Sequence, residues 1–154
     1  MIFELYIEDI LREVDILNHY RGEAAKRKDA DAVVMQSAQE QHDALMYHLR
    51  TAVTDVRMLA NPRVYSLDAD ISNEKIVFDL SPLRENAEHI VSLLKEGVRQ
   101  YLVYEIRRLW LSLVRPDWAD NSMRMVLLQQ IQELMRAAVK AQSVRRRCTD
   151  LAGI

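Results

Sequence analysis

Hydrophobic residues recur at three- and four-residue intervals over a long stretch in the middle of the chain, residues 81–115. The repeating positions are Leu83, Ala87, Ile90, Leu94, Val98, Leu102, Ile106, Leu109 and Leu113. This spacing predicts one apolar face along roughly nine turns of α-helix. Ser81-Pro82 has the residues of a helix start, and Arg115-Pro116 has those of a helix end. The predicted helix is roughly 50 Å long at about 1.5 Å per residue, so we expect other long helices or other chains to cover it.

The same periodicity predicts three further helices, over residues 3–20, about 31–60 and about 120–143. We expect a loop over the polar residues 23–30. The period changes over residues 63–80, where two short apolar runs flank turn-forming residues, and this indicates a β-hairpin. The predicted fold is therefore mainly α, with four helices, two or three of them long, and a short β-hairpin inserted before the central helix.

Composition fits a single soluble domain. The chain has 154 residues, of which 49% are hydrophobic and 29% charged, typical of folded globular proteins. We expect one helical domain over residues 1–143 and a basic C-terminal tail over 144–154. No apolar run is long enough to span a bilayer, so we expect no membrane partner. The single cysteine, Cys148, excludes an internal disulfide framework and fits a reducing compartment.

The two ends of the chain carry opposite charge. Residues 1–20 hold five acidic residues and one arginine, a net charge of −4, and residues 135–154 hold five basic residues and one aspartate, a net charge of +4. Opposite charges favour contact between unlike surfaces of two copies. The candidate interface residues are Glu4, Glu8, Asp9, Arg107, Arg108, Trp110 and Trp118. Three consecutive arginines, Arg145, Arg146 and Arg147, are candidates for facing DNA or a partner.

Residue patterns that carry catalysis or metal binding are missing. Among the four histidines His89 has a carboxylate four residues before it, Glu85, and one such pair makes a poor metal site. Cys148 has no recognisable base for nucleophilic chemistry. Glycine-rich phosphate loops and nucleophile elbows are also absent. We therefore expect no enzymatic activity, no catalytic residues, no metal and no cofactor.

The order of elements over residues 75–147 supplies a resemblance. A short strand, Lys75-Ile76-Val77-Phe78-Asp79-Leu80, precedes Ser81-Pro82 and a helix ending Tyr101-Leu102-Val103-Tyr104 and Arg108-Leu109-Trp110-Leu111. The corner Pro116-Asp117-Trp118-Ala119 and a last helix closing on Arg145-Arg146-Arg147 follow. This order resembles small proteins of tailed-phage and prophage structural modules in Bacteroidetes, which are similar to helical head–tail connector, or head-completion, proteins. Such endings carry a proline after the arginines, where this chain has Cys148-Thr149.

The resemblance implies a structural subunit without catalytic residues, which assembles into a ring that seals the DNA-filled head and receives the tail. Its implied partners are copies of itself, portal and tail proteins, and DNA without sequence preference. Its implied location is the virion or the host cytoplasm. Two alternatives remain open from the residues alone: a cytoplasmic helical adaptor or regulator that dimerises through its central helix, and, least favoured, a helical-bundle enzyme or metal carrier.

Overall fold

The computed structural model describes the backbone of residues 2–28, 42–82 and 87–152, and the side chains of residues 2–21, 42–82 and 87–138. Within these ranges the chain forms four α-helices and three strands, so the predicted mainly α fold is confirmed. In chain order the elements are β1 (Ile2–Tyr6), α1 (Ile7–Lys28), α2 (His42–Met58), β2 (Ser66–Ile71), β3 (Lys75–Ser81), α3 (Glu88–Val114), a 3-10 turn (Pro116–Trp118) and α4 (Arg124–Ala152).

The strands form one antiparallel sheet with β3 in the centre, in the order β1-β3-β2. The predicted hairpin corresponds to β2 and β3, and the hydroxyl of Ser72 accepts hydrogen bonds from the backbone N–H groups of Glu74 and Lys75 in its turn. One face of the sheet is buried, and on it the rings of Phe3 and Phe78 stack with centroids 5.0 Å apart. Side chains on the other face are more exposed. The outer edges of β1 and β2 have no strand partner among the described residues.

The first strand corrects the prediction of a helix over residues 3–20. Residues 2–6 form β1, and the helix begins only at Ile7. Buried and more exposed side chains alternate along β1, with Phe3 and Leu5 facing inward, as a half-buried strand requires. Because strand passes into helix with no turn residue between them, the inner positions of both elements merge into one apparently helical pattern.

The start of the central helix also differs from the prediction. Ser81 is the last residue of β3 and pairs with Ser66, so it does not cap a helix. Helix α3 begins at Glu88, after Ala87, which makes no side-chain capping bond. With 27 residues the helix is about 40 Å long. A Ser-Pro pair serves equally well to end a strand, because proline cannot continue the ladder of hydrogen bonds.

Three other helix boundaries differ from the predicted ones. Helix α1 continues to Lys28, so the loop expected over residues 23–30 is wrong for most of that range. Helix α2 is described from His42 to Met58, and the earlier part of the helix predicted over 31–60 lies outside the described residues. Helix α4 begins at Arg124 and extends to Ala152, well beyond the predicted end at residue 143.

Helix α3 is the centre of the core. Its fully buried side chains are Leu94, Val98, Tyr101, Leu102 and Ile106. Helices α1, α2 and α4 and strand β1 all pack against it. Of the two kinds of cover expected, other long helices or other chains, helices of the same chain cover the middle of α3, and its large exposed apolar side chains lie towards its ends, at Leu93, Leu113 and Val114.

None of the helices, over the residues searched, combines the length and the apolar composition that a bilayer crossing requires.

Gly97 offers a test of how α3 packs on α4. A Cβ atom built at Gly97 lies 3.7 Å from side-chain carbons of Ile131 and Leu134, which is ordinary contact. Glycine within a helix costs up to about 1 kcal/mol relative to alanine. We therefore expect Gly97→Ala to raise the free energy of unfolding by about 0.5–1 kcal/mol in urea titrations. Gly97→Leu is the matched control: its extra carbons must displace both neighbours, so it should lower stability, and equal stabilisation by both variants would contradict this packing.

Candidate functional site

A buried carboxylate joins two helices at the centre of the molecule. Glu105, on α3, has only 1% of its surface exposed. Its two oxygens accept hydrogen bonds from Nε and Nη2 of Arg108, at 2.8 and 2.6 Å, and one of them also accepts from Nε of Arg124 at 3.2 Å. Arg124 is the first residue of α4. The start of α4 is therefore fixed to α3 by charge-assisted hydrogen bonds shielded from water.

Arg124 also connects this network to α2. Nη2 of Arg124 donates to Asp55 at 2.8 Å, and the hydroxyl of Tyr101 donates to the same Asp55 oxygen at 2.7 Å. Burial raises the pKa of Tyr101, and its hydrogen bond to Asp55 adds to the rise. Both acids of the network are thus matched by arginines, which leaves neither carboxylate free to act as a general base. The network joins α2, α3 and α4.

His48 lies near this network, but the network provides no hydrogen-bond partner for its Nε2 atom. The side chain, on α2, is 7% exposed, and its Nε2 atom is buried without a hydrogen-bond partner among the described residues. Burial lowers the pKa of His48, and the nearby charge of Glu105 opposes that effect only in part. The imidazole is therefore held neutral at physiological pH.

A pocket lined by arginines, here called the arginine pocket, opens beside the end of α3. Its volume is about 140 Å³, and it is lined by Arg21, Tyr104, Arg107, Arg108, Leu111, Trp118, Asp120 and Met123. The hydroxyl of Tyr104 donates to the backbone oxygen of Asp120 and so fixes the loop before α4. Burial, together with the neighbouring charge of Arg21, lowers the pKa of Arg107. The pocket has an excess of positive charge over a partly apolar wall.

Trp118 organises the rim of the arginine pocket. The guanidinium carbon of Arg21 lies 5.4 Å from the centre of its ring, and that of Arg115 lies 4.3 Å away. Arginine over an indole face is favourable. Arg115 also donates to the carboxylate of Asp117, and this bond lowers the pKa of Asp117. Two cations are thus held against one aromatic ring at the surface.

A second surface, here called the acidic corner, lies where β1 meets α1. It is a depression of about 480 Å³ lined by Tyr6, Glu8, Asp9, Asn73 and Glu74. Residues of the β2–β3 turn and of the first turn of α1 are brought together because the backbone N–H of Ile7 donates to the carbonyl of Glu74. Three carboxylates therefore share one exposed surface.

The candidate residues predicted from the sequence fall into five groups. Glu8 and Asp9 lie at the acidic corner, and Arg107, Arg108 and Trp118 line the arginine pocket. Glu4 lies in the sheet, where its carboxylate accepts a hydrogen bond from Lys75 at 2.8 Å. Trp110 is 3% exposed and belongs to the core, which removes it from the candidate interface. The side chains of Arg145, Arg146 and Arg147 lie outside the described residues.

Sequence reasoning missed Arg21, Tyr104 and Asp120 in the pocket. Arg21 meets Arg107 only because α1 packs on α3, and 86 positions separate the two along the chain. One signal was available: Arg21 lies four residues after Leu17, so it continues the apolar stripe of α1 towards the neighbouring helix.

Metal ligands do not converge in the described part of the chain, where no group of three or more histidine, cysteine, aspartate or glutamate side chains could hold an ion. No family model, curated protein or solved structure matches the sequence or its fold. Any functional assignment therefore depends on the surfaces described above.

Removing the buried carboxylate of Glu105 should lower the stability of the fold. We expect Glu105→Ala to lower the free energy of unfolding by about 2 kcal/mol, because Arg108 and Arg124, both partly buried, lose the charge-assisted hydrogen bonds to their shared partner. The control is Glu8→Ala, which removes an exposed ion pair to Arg12 and should change stability by less than about 0.5 kcal/mol. Chemical unfolding followed by circular dichroism measures both, and equal losses would contradict a stabilising role for the network.

His48 should make the fold sensitive to mild acid. Because folding lowers its pKa below the ordinary value of 6.5, the unfolded chain binds the proton more readily, and stability falls as pH drops below about 6.5. We expect His48→Leu to flatten the dependence of unfolding free energy on pH between about 7 and 5. His89→Gln, at an exposed position of α3, is the control and should keep the slope of the parent protein. An unchanged slope in His48→Leu would locate the acid sensitivity elsewhere.

Proposed function

We propose that this chain is a non-enzymatic structural subunit of a phage neck, similar to head–tail connector proteins, which associates with copies of itself into a ring. The observation that supports this proposal is the separation of charge along α1. Asp9, in the acidic corner, and Arg21, in the arginine pocket, lie twelve residues apart on that helix, or about 18 Å along its axis. One molecule therefore presents opposite charges at two separate surfaces.

Such an arrangement favours contact between unlike surfaces. A contact of this kind propagates from copy to copy and closes into a ring when the rotation between neighbours permits. Surfaces of opposite charge also fix the register of neighbouring subunits and accelerate their encounter. The outer edges of β1 and β2 add a further means of association, since exposed edges accept a strand from another chain.

The competing proposal, an adaptor that dimerises through its central helix, has less support. The middle of α3 is covered by α1, α2 and α4 of the same chain, so it offers no apolar face to a second copy. Exposed apolar residues at the end of α3, chiefly Leu113 with 73% of its surface accessible and Val114 with 42%, make a much smaller surface.

Partners beyond the chain itself belong to the same proposal. A subunit of the neck would meet portal and tail proteins on the two faces of its ring, in the virion or in the host cytoplasm during assembly. Arg145, Arg146 and Arg147 would face either DNA or one of these proteins. Lysine and arginine contacts to phosphates provide attraction without sequence preference, as a channel that only contains DNA requires.

The test is the dependence of assembly on salt. We expect light scattering to detect species larger than a dimer at low ionic strength, and their proportion to fall as salt rises from about 0.05 to 0.5 M, because exposed charges more than a Debye length apart are screened. A dimer of constant mass over that range would favour the adaptor. A monomer at every concentration and salt would contradict homo-oligomeric assembly. As an independent test, the gene should lie among those for capsid and tail proteins.

A further inference from the structure

Arg107 has more positive charge around it than the described residues neutralise. Its Nε atom donates to the amide oxygen of Asn18 at 3.2 Å. Among the described residues no carboxylate lies within ion-pair distance of its guanidinium, although the side chain is partly buried. The amide nitrogen of Asn18 is itself buried without an acceptor among those residues. A desolvated cation and an unsatisfied donor thus lie side by side, and both would be stabilised by an anion.

The other charged groups of the arginine pocket do not neutralise this excess of positive charge. Arg108 is neutralised by Glu105, and Arg21 forms no ion pair with a described residue. Asp120 is the carboxylate at the rim, where it accepts a hydrogen bond from the backbone N–H of Ser122. Hydrogen bonds with Arg115 and Ser122, and in addition the charge of Arg21, lower the pKa of Asp117 and Asp120 respectively. Because Asp117 is paired with Arg115, one carboxylate without an ion pair among the described residues, Asp120, stands against the two guanidinium groups of Arg21 and Arg107.

The size and lining of the pocket restrict the ligand. At about 140 Å³ it is smaller than the roughly 300–1,000 Å³ of sites for drug-sized molecules. It accommodates the head of one acidic side chain, with Leu111 and Met123 as an apolar wall for the methylene groups. Two guanidinium groups match a carboxylate well, since each presents a planar array of donors.

The acidic corner supplies side chains of this kind. Glu8 forms only an exposed ion pair with Arg12, which is readily exchanged. Asp9 is exposed and has no ion pair among the described residues. Asp9 in the corner and Arg21 in the pocket are twelve residues apart on the continuous helix α1, or about 18 Å along its axis, so the two surfaces cannot meet within one chain.

We propose that the acidic corner of one copy docks on the arginine pocket of the next, with a carboxylate of Glu8 or Asp9 entering beside Arg21 and Arg107. This inference rests on the proposed function, because it names the contact through which copies associate. The contact joins unlike surfaces, so each molecule uses its corner for one neighbour and its pocket for another.

Charge exchange between two variants tests the contact. Arg21→Glu reverses a charge in the pocket, and Asp9→Arg reverses one in the corner; both positions are exposed. Each variant alone should associate at least about tenfold more weakly than the parent in sedimentation velocity, because like charges then oppose each other at every junction. An equimolar mixture should regain assembly, since each junction again pairs opposite charges. Arg63→Glu and Glu133→Arg, exposed and outside both surfaces, carry the same charge changes and should associate like the parent.

The outcomes separate this inference from the function on which it rests. Loss in both variants with recovery in the mixture supports the contact. Assembly of the single variants at parental strength overturns it and leaves homo-oligomeric function intact. A monomeric parent protein overturns both. If Arg21→Glu lowers retention of a double-stranded DNA fragment but not self-association, the pocket binds phosphate and the proposed contact is wrong. Thermal melts of all variants within a few degrees of the parent show that folding is not the cause.

Discussion

The whole architecture depends on one buried carboxylate, that of Glu105. Glu105 receives hydrogen bonds from Arg108 on its own helix and from Arg124 on the next, and Arg124 reaches on to Asp55 on a third. Hydrophobic burial alone would allow α2 and α4 to slide or rotate on α3, because apolar contact is non-directional. Charge-assisted hydrogen bonds have fixed geometry. They set the register in which α4 starts, and with it the loop of residues 115–123 that forms one side of the arginine pocket.

Arginines therefore serve two purposes within a few residues of each other. Arg108 and Arg124 are matched by acids and hold helices together, whereas Arg107 and Arg21 remain without carboxylate partners in the described part of the chain. Sequence patterns do not separate the two groups, because Arg107 and Arg108 are adjacent. The distinction follows from the direction in which each side chain leaves the helix: Arg108 points towards Glu105 three residues earlier, while Arg107 points towards Asn18 on α1.

Much of the fold could be predicted from periodicity, and the failures have a physical cause. A long apolar stripe identified α3, since burial on one face imposes a regular spacing, and two short apolar runs on either side of turn residues identified the hairpin of β2 and β3. Residues 2–6 were misread because Phe3, four residues before Ile7, fits both a strand and the start of the α1 stripe. Ser81-Pro82 was misread because the same two residues can start a helix or finish a strand. Of the two charged surfaces, Glu8 and Asp9 were visible as a cluster along the chain, whereas the pocket arises only when α1 packs on α3.

The position of β1 beside β3 has a consequence for synthesis of the chain. Phe3 pairs with Phe78, 75 positions further along, so the first strand leaves the ribosome long before its neighbour exists. At about 5–20 residues per second that interval is roughly 4–15 s. During this time a strand with two inward-facing hydrophobic side chains has no sheet to join, and α1 has no α3 to pack on. Until β3 has been synthesised, Phe3 and Leu5 therefore lack the sheet that buries them in the folded protein.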